Sequence, residues 1–172
     1  NTNTEIIGMS LRQPIYKTVT DEVALSIIGE HLFTQSFVFG NIPIDFFPGF
    51  QNGAATVSAL RFAQDWTHRT LDTVLAVRSR FSVGINVLGA TINANPDTPD
   101  SQFFSWLGQA QGIKQFGDNL LGMQLHGRMD LQVTNSPLFP VEQVALGGRY
   151  TVRGYREVTI LRDNSFIASI EP

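Results

Sequence analysis

Arginine, glycine and tyrosine are concentrated in one short stretch of the chain, where they could bind an acidic group. Three glycines, three arginines and two tyrosines lie between residues 146 and 157, with no consistent helical or strand period. The planar guanidinium of Arg153 could form a bidentate hydrogen bond with a carboxylate, and Gly154 beside it would let another backbone approach closely. An ordinary glycine-rich connection with solvated arginines is the alternative. The structure of the flanking segments must distinguish the two.

Histidine and acidic residues elsewhere give a weaker chemical signal. His31, His68 and His126 are isolated, without the spacing of metal ligands. His126 and Asp130 share a face of a predicted strand and could suggest a hydrolase pair, but no nucleophile elbow or oxyanion motif accompanies them. We therefore expect no enzyme activity, no metal site and no cofactor.

Composition narrows the class of protein. The chain has 172 residues, 42% of them hydrophobic and 16% charged, with a net charge of −3 and no cysteine. Charged content is below the roughly 25% that is usual in soluble domains, and no basic excess suggests nucleic acid. Neither a disulfide scaffold nor a transmembrane helix is encoded. The chain opens and closes in strand-like patterns without a signal peptide, so we expect it to be part of a longer protein.

Apolar and polar residues alternate with period two along most of the chain, which predicts strands. A helical stripe competes between residues 60 and 78, but period two persists from Leu75 to Val87 and the helical period does not. The alternation is most regular between Leu121 and Val133. In all, seven strands are predicted, at residues 5–16, 22–33, 55–66, 72–87, 102–114, 121–133 and 165–171.

The lengths of these strands and of their connections indicate a membrane protein. Most predicted strands are about twice the usual length of roughly 5–6 residues in globular proteins. Short connections alternate with long ones. The long connections lie at Gln35–Gly53, at Leu88–Ser101 and around residues 147–162. Transmembrane barrels combine long tilted strands with short periplasmic turns and long external loops. The sequence therefore predicts an all-β, antiparallel transmembrane β-barrel, and seven strands must be part of a larger one because a bilayer tolerates no open edge.

The polar face of these strands should line the barrel lumen. It is made of glutamine, serine, glycine and arginine rather than the lysine and glutamate of a soluble sandwich. Such side chains contact water or pair with something threaded through the barrel. We assign to this face Arg78, Arg80, His126, Arg128, Asp130 and Glu171, together with Arg12, Glu30, Arg61 and Asp65.

The C-terminal third resembles a known family. Leu138–Gln143, then Leu146–Glu157, then Asp163–Glu171 are similar to the signature of two-partner secretion translocators, the TpsB proteins of the haemolysin activation/secretion type, which are related to BamA-like assembly factors. The resemblance extends over nearly the whole chain and is strongest from Pro137 to Glu171. Ser165 departs from it, because the family commonly has glycine there.

The resemblance implies a barrel of 16 strands, of which this chain would supply strands 6 to 12 as a partial barrel domain over residues 1–172. The POTRA domains and the remaining strands would lie elsewhere. Residues 147–162 would form the sixth external loop, folded into the lumen. Its tip would carry the motif Val152, Arg153, Gly154 and Tyr155, with support from Gly147, Gly148, Glu142 and Gln143. Arg153 would pair with an acidic residue of strand thirteen, beyond this chain.

The resemblance also implies a function, a partner and a location. A TpsB protein would secrete a large TpsA-type exoprotein, a haemolysin or adhesin, across the bacterial outer membrane without ATP, with the Arg153 loop as latch or gate. It would be a monomer in outer-membrane lipid and bind no nucleic acid. A BamA-like assembly factor is the alternative. An outer-membrane enzyme or a passive porin is a third possibility, against which the arginine-glycine loop argues.

Overall fold

Ten strands and no helix make up the regular structure of the described chain. This is a computed structural model, and it describes residues 2–39, 42–117, 122–146 and 160–172. The strands are β1 (Thr2–Lys17), β2 (Asp21–Val38), β3 (Ile42–Pro43), β4 (Ala54–Arg69), β5 (Thr73–Gly84), β6 (Phe104–Gln115), β7 (Gln124–Thr134), β8 (Val144–Leu146), β9 (Ile160–Arg162) and β10 (Ser165–Glu171). In these ranges, no helix is long and apolar enough to cross a membrane.

Seven of the strands form one antiparallel sheet without any crossover. Its order is β1-β2-β4-β5-β6-β7-β10, so each strand pairs with its neighbour in the chain among these seven, and β3 adds to the end of β2. Strands β8 and β9 form a separate two-stranded sheet. Within the described residues the large sheet is open, with β1 and β10 at its edges. The predicted all-β fold and the seven predicted strands are confirmed.

Several predicted strand boundaries were wrong, and local contacts explain the clearest case. Strand β2 continues to Val38, and β5 ends at Gly84 rather than Val87. A Cβ added to Gly84 would lie 2.0 Å from the carbonyl oxygen of Ser101, so the returning chain packs directly on this backbone. Leu88 and Gly89 then adopt positive φ angles of 54° and 75°, which turn the chain out of the strand.

Register assigns each side chain of the sheet to one of two faces, because directly opposed residues point to the same side. Asp65, Arg78, Gln109 and Asp130 are successive partners on β4, β5, β6 and β7, so they share a face. We call this the polar face. The alternate residues form the apolar face, which includes exposed Leu60, Phe62, Val83, Met129 and Phe166.

The three long connections meet in a small core at one end of the polar face. Phe50 belongs to the first connection, Phe103 to the second and Phe139 to the third, and all three are buried. They pack on β4, whose contributions to the cluster are Ala55, Val57 and Ala59. The rings of Phe50 and Phe139 meet edge to face, with their centroids 5.9 Å apart. The small residues of β4 leave room for these rings.

Hydrogen bonds join the first two connections to each other and close the short turns at the opposite end. Asn93 Nδ2 donates to the carbonyl oxygens of Gly49 and Pro99, at 3.1 and 2.6 Å. In the turn between β4 and β5, Thr70 Oγ1 donates to Asp72 Oδ1 at 2.8 Å. This hydrogen bond lowers the pKa of the Asp72 carboxyl, since it stabilises the charged form.

Candidate functional site

Arginines and acids alternate across the polar face and pair with each other. Arg78 Nε donates to Asp65 Oδ1 at 2.6 Å, and Arg128 Nε donates to Asp130 Oδ2 at 2.7 Å. Gln109 Nε2 donates to the second oxygen of Asp130 at 2.9 Å. Buried Asp130 is therefore bound on both of its oxygens. Each of these charged side chains is therefore paired with a charge of opposite sign.

His126 and Asp130, which the sequence did not favour as a hydrolase pair, are also far apart along their strand. His126 and Asp130 lie four residues apart on β7, which is about 13 Å along a strand at roughly 3.3 Å per residue. His126 is instead directly opposite Glu171 of β10 in the register. Across the ranges given above for the structure, no group of three or more His, Asp or Glu residues could hold a metal ion.

The most elaborate arrangement on the polar face centres on Arg61 of β4. Its Nε donates to Glu30 Oε2 at 2.7 Å, and Nη1 donates to Ser82 Oγ at 3.0 Å. Its two Nη groups also donate to the two carboxylate oxygens of Glu142, at 2.9 and 2.6 Å. Only 8% of the Arg61 side chain and 7% of the Glu142 side chain are exposed. A bidentate, largely buried pair of this kind fixes both partners in position.

Glu142 reaches Arg61 because the chain after β7 turns back over the polar face. We call residues 135–146 the loop root. Leu138 and Phe139 anchor it in the small core of the long connections. Asp163 Oδ1 accepts hydrogen bonds from the Leu138 backbone NH at 3.0 Å and from Gln143 Nε2 at 2.9 Å. The two ends of the long connection between β7 and β10 are thereby joined to each other.

Strand β7 also binds the loop root, through Gln132. Gln132 Nε2 donates to the carbonyl oxygens of Glu142 at 3.0 Å and of Asp163 at 3.1 Å. Gln132 is buried, and its row of the register continues to Arg80 on β5 and Ser165 on β10. The loop root therefore lies on a defined part of the polar face.

A cavity of about 390 Å³ remains between the loop root and the polar face. Arg61, Arg80, Gln109, Gln132 and Val141 are among the residues that line it. Arg80 differs from the other arginines here. Its Nε is buried and has no hydrogen-bond partner among the described residues, and no ion pair of Arg80 is formed within them.

The motif predicted to act in the lumen lies outside the described residues. Gly147, Gly148, Val152, Arg153, Gly154 and Tyr155 all belong to residues 147–159. The structure describes the short strands on either side of it, β8 and β9. They pair with each other, with Val144 opposite Arg162 and Leu146 opposite Ile160. The latch role of Arg153 stays a prediction.

Sequence analysis placed most of the polar residues but missed how they pair. Arg78, Arg80, Arg128 and Asp130 lie on one face of the sheet, and their orientation towards a lumen stays a prediction. Glu142 was assigned to loop support without a partner. Ser82 and Asp163 were not singled out at all. A usable signal was the apolar pair Leu138-Phe139 between Pro137 and Pro140, which indicates an inward anchor rather than a solvated loop.

The apolar face requires an apolar environment. Two pairs of polar side chains on this face bind each other, since Trp106 Nε1 donates to Ser79 Oγ at 3.0 Å and His31 Nδ1 is 2.9 Å from Ser58 Oγ. Long antiparallel strands with one polar and one exposed apolar face are typical of a barrel wall in a bilayer. The fold and its two faces define the class: a segment of a transmembrane β-barrel.

Comparison with known proteins identifies the family. The model of the haemolysin secretion/activation protein family ShlB/FhaC/HecB matches residues 49–170, and the chain belongs to this family. The solved structure of CdiB from Escherichia coli is similar in fold, with a TM-score of 0.81 at 19% sequence identity. The match covers 96% of this chain and 29% of the CdiB chain. Curated protein sequences give no match. The predicted resemblance to TpsB-type translocators is confirmed.

Proposed function

We propose that the protein acts in the bacterial outer membrane and secretes a large TpsA-type exoprotein, a haemolysin or adhesin, through its barrel. The description of the family as haemolysin secretion/activation proteins supports this role. The fold shared with CdiB supports a barrel as the conducting part, of which this chain is a segment. The protein would act as a monomer in lipid and carry out no catalysis.

The observation that carries the proposal is the bidentate pair between Glu142 and Arg61. It holds the loop root against the polar face, which the proposal takes as the inner side of the wall. A connection that begins there can occupy the lumen, whereas a loop that begins at the rim can extend away from it. The motif around Arg153 would then act as a latch or gate on the path of the exoprotein, with its acidic partner on another strand.

Secretion by the full-length protein tests this function. Cells that express the full-length protein with its exoprotein should release the exoprotein into the medium, and cells without the translocator should retain it. An Arg153→Ala variant at equal abundance in the outer membrane should secrete at least tenfold less, on the order expected for the loss of a charge-assisted bidentate contact. Full secretion and unchanged channel conductance in this variant would contradict the latch.

The alternative is a BamA-like factor that assembles outer-membrane proteins. Depletion of the full-length protein distinguishes it, because an assembly factor would lower the levels of many outer-membrane proteins together. A translocator would affect only its exoprotein. The same cells serve both measurements, so each outcome supports one of the two functions.

A further inference from the structure

We infer that Asn52 is a latent site of spontaneous deamidation and that Asp45 keeps it unreactive. Asn52 is the one asparagine in the sequence that is followed by glycine. Glycine has no side chain to hinder attack by its own backbone nitrogen, so Asn-Gly is the pair most prone to this reaction. Asparagines of this kind limit the chemical lifetime of a protein. The inference does not depend on the proposed function.

The reaction needs only water and the chain itself. The backbone nitrogen of Gly53 attacks Cγ of the Asn52 side chain and forms a new N–C bond. The Cγ–Nδ2 bond breaks, and Nδ2 leaves as ammonia with the proton that the Gly53 nitrogen has lost. The resulting succinimide takes up one water molecule at either of its carbonyl carbons and opens to aspartate or isoaspartate. Asn52 is exposed, so water has access to it.

The turn that contains Asn52 opposes this attack. Asn52 and Gly53 are the central residues of a tight hairpin, with positive φ angles of 52° and 74°. A type I′ turn requires positive φ at both positions, and Asn-Gly is its preferred sequence, which explains why a reactive pair occurs here. The flanking residues Gln51 and Ala54 exchange backbone hydrogen bonds at 2.8 and 3.1 Å. These bonds fix the peptide unit that must rotate before the Gly53 nitrogen can reach Cγ.

Asp45 binds the proton that the reaction must remove. Its Oδ1 accepts a hydrogen bond from the Gly53 backbone NH at 2.6 Å. Hydrogen bonds to an ionised acceptor are stronger than neutral ones, so this bond adds to the barrier for turning the nitrogen towards Asn52. The negative charge of Asp45 also opposes the negative charge that develops on the nitrogen as its proton leaves. A carboxylate is a far weaker base than an amide anion, so Asp45 holds the proton without removing it.

Conversion of Asn52 would loosen the shared core of the long connections. Isoaspartate lengthens the backbone of the turn, so Gln51 and Ala54 could not keep their present pairing. Phe50 immediately precedes this pair and is buried in the core. A change in the turn would therefore be transmitted to the ring that joins the first connection to the other two.

Ageing of the folded full-length protein in detergent tests the inference. Peptide mapping by mass spectrometry follows the conversion of Asn52 to aspartate and isoaspartate, and the same protein unfolded in denaturant gives the rate without the fold. The folded wild type should convert at least about tenfold more slowly than the unfolded chain, which corresponds to about 1.4 kcal/mol in the barrier. Equal rates in the two states would overturn the inference.

Asp45→Ala tests the role of the carboxylate. The variant should deamidate about tenfold faster than the folded wild type, since it lacks a charge-assisted hydrogen bond. Asp45→Asn should lie between the two, because its amide oxygen still accepts a hydrogen bond but carries no charge. Asp97→Ala is the matched control, since it removes one negative charge from an exposed position of the second long connection. It should leave the Asn52 rate within about twofold of the wild type. An unchanged rate in Asp45→Ala, or an equal acceleration in Asp97→Ala, would show that Asp45 does not protect Asn52.

Hydrogen exchange separates loss of this hydrogen bond from loss of the fold. The Gly53 amide should exchange faster in Asp45→Ala than in the wild type, while the amides of β5 and β6 should exchange equally in both. If the β5 and β6 amides also exchange faster, Asp45→Asn decides the matter by the same two measurements. Protein aged until Asn52 is largely isoaspartate should be cleaved faster in the long connections than fresh protein. Equal resistance to protease would contradict the coupling to Phe50.

Discussion

Arg61 and Glu142 lie 81 residues apart in the chain and form a bidentate ion pair at 2.9 and 2.6 Å. Arg61 projects from β4, whereas Glu142 follows β7, so the pair bridges three strand-to-strand spacings of the sheet. The guanidinium also bonds Glu30 on β2 and Ser82 on β5. One side chain thus connects three adjacent strands to the loop root.

Removal of Arg61 should therefore destabilise the loop root more than removal of Glu142. Arg61→Met leaves Glu142 largely buried without a cation and should cost about 3 kcal/mol, as is usual for a broken buried pair. Glu142→Gln should cost about 1 to 2 kcal/mol, because Arg61 keeps Glu30. Denaturant unfolding of the full-length protein in detergent measures both. The double variant should cost less than the sum, and strict additivity would show that the pair contributes no coupling.

Phe139 should be the most sensitive aromatic residue of the long connections. It is 1% exposed and packs against Phe50, so Phe139→Ala should destabilise the connections by about 3 kcal/mol and speed their proteolysis. Phe39→Ala provides the comparison, because Phe39 is 98% exposed and should change stability by less than about 0.5 kcal/mol. Equal protease sensitivity of the two variants would argue against a shared core.

Gly84 should not accept a side chain. Gly84→Ala forces a Cβ onto the carbonyl oxygen of Ser101 and the ring of Phe103, with an expected cost of about 2 kcal/mol for overpacking. At Gly29 no atom lies within 4 Å of an added Cβ, so Gly29→Ala should be neutral or slightly stabilising. Thermal unfolding of the two variants side by side is the measurement, and a neutral Gly84→Ala would contradict the close packing.

Trp106 and Ser79 should depend on each other on the apolar face. Trp106→Phe removes the donor to Ser79 Oγ and leaves this hydroxyl against an apolar environment, at a cost of about 1 to 2 kcal/mol. The additional change Ser79→Ala should recover most of that loss, because no unpaired hydroxyl then remains. A double-mutant cycle on the unfolding free energy measures the coupling, which should be near zero if the hydrogen bond is not formed.

Met129 tests whether the apolar face contacts lipid. It lies near the middle of β7 and is exposed, so Met129→Arg should cost about 2 to 4 kcal/mol in a bilayer. Ser10→Arg on the polar face should stay within about 0.5 kcal/mol, because its environment is aqueous. Reversible unfolding of the full-length protein from lipid vesicles compares the two. Equal losses of unfolding free energy in the two variants would indicate that both faces contact water.

Local pattern was sufficient to predict the strands and their faces. Period two in β7 places Met129 and Asp130 on opposite faces, and no tertiary contact is needed to see it. The alternation predicted the ends of strands less well, because backbone contacts from elsewhere in the chain can end a strand. Ile85 and Val87 continue the alternation after Gly84, but the strand ends at Gly84, where the backbone of Ser101 packs against it.

Long-range pairing could not be predicted from the sequence, for a physical reason. Periodicity reports which face a residue shares with its neighbours, but not which residue a returning loop brings to it. Glu142 could have paired with any arginine of the polar face, and its position at Arg61 depends on the packing of Leu138 and Phe139 and on the hydrogen bond from Gln132. The same limit hid the isolation of Arg80, since lack of a partner is a property of the folded sheet.

The shared core of the three long connections restricts how this barrel can be recombined. Phe50, Phe103 and Phe139 come from separate connections but fill one space against β4. A chimaera that exchanges one connection with a relative would combine surfaces that were never fitted to each other. Exchange of all three connections together, with Ala55, Val57 and Ala59 of β4, should preserve the packing at this end of the sheet. Connections that look independent in the sequence therefore share one core and should tolerate exchange only as one unit.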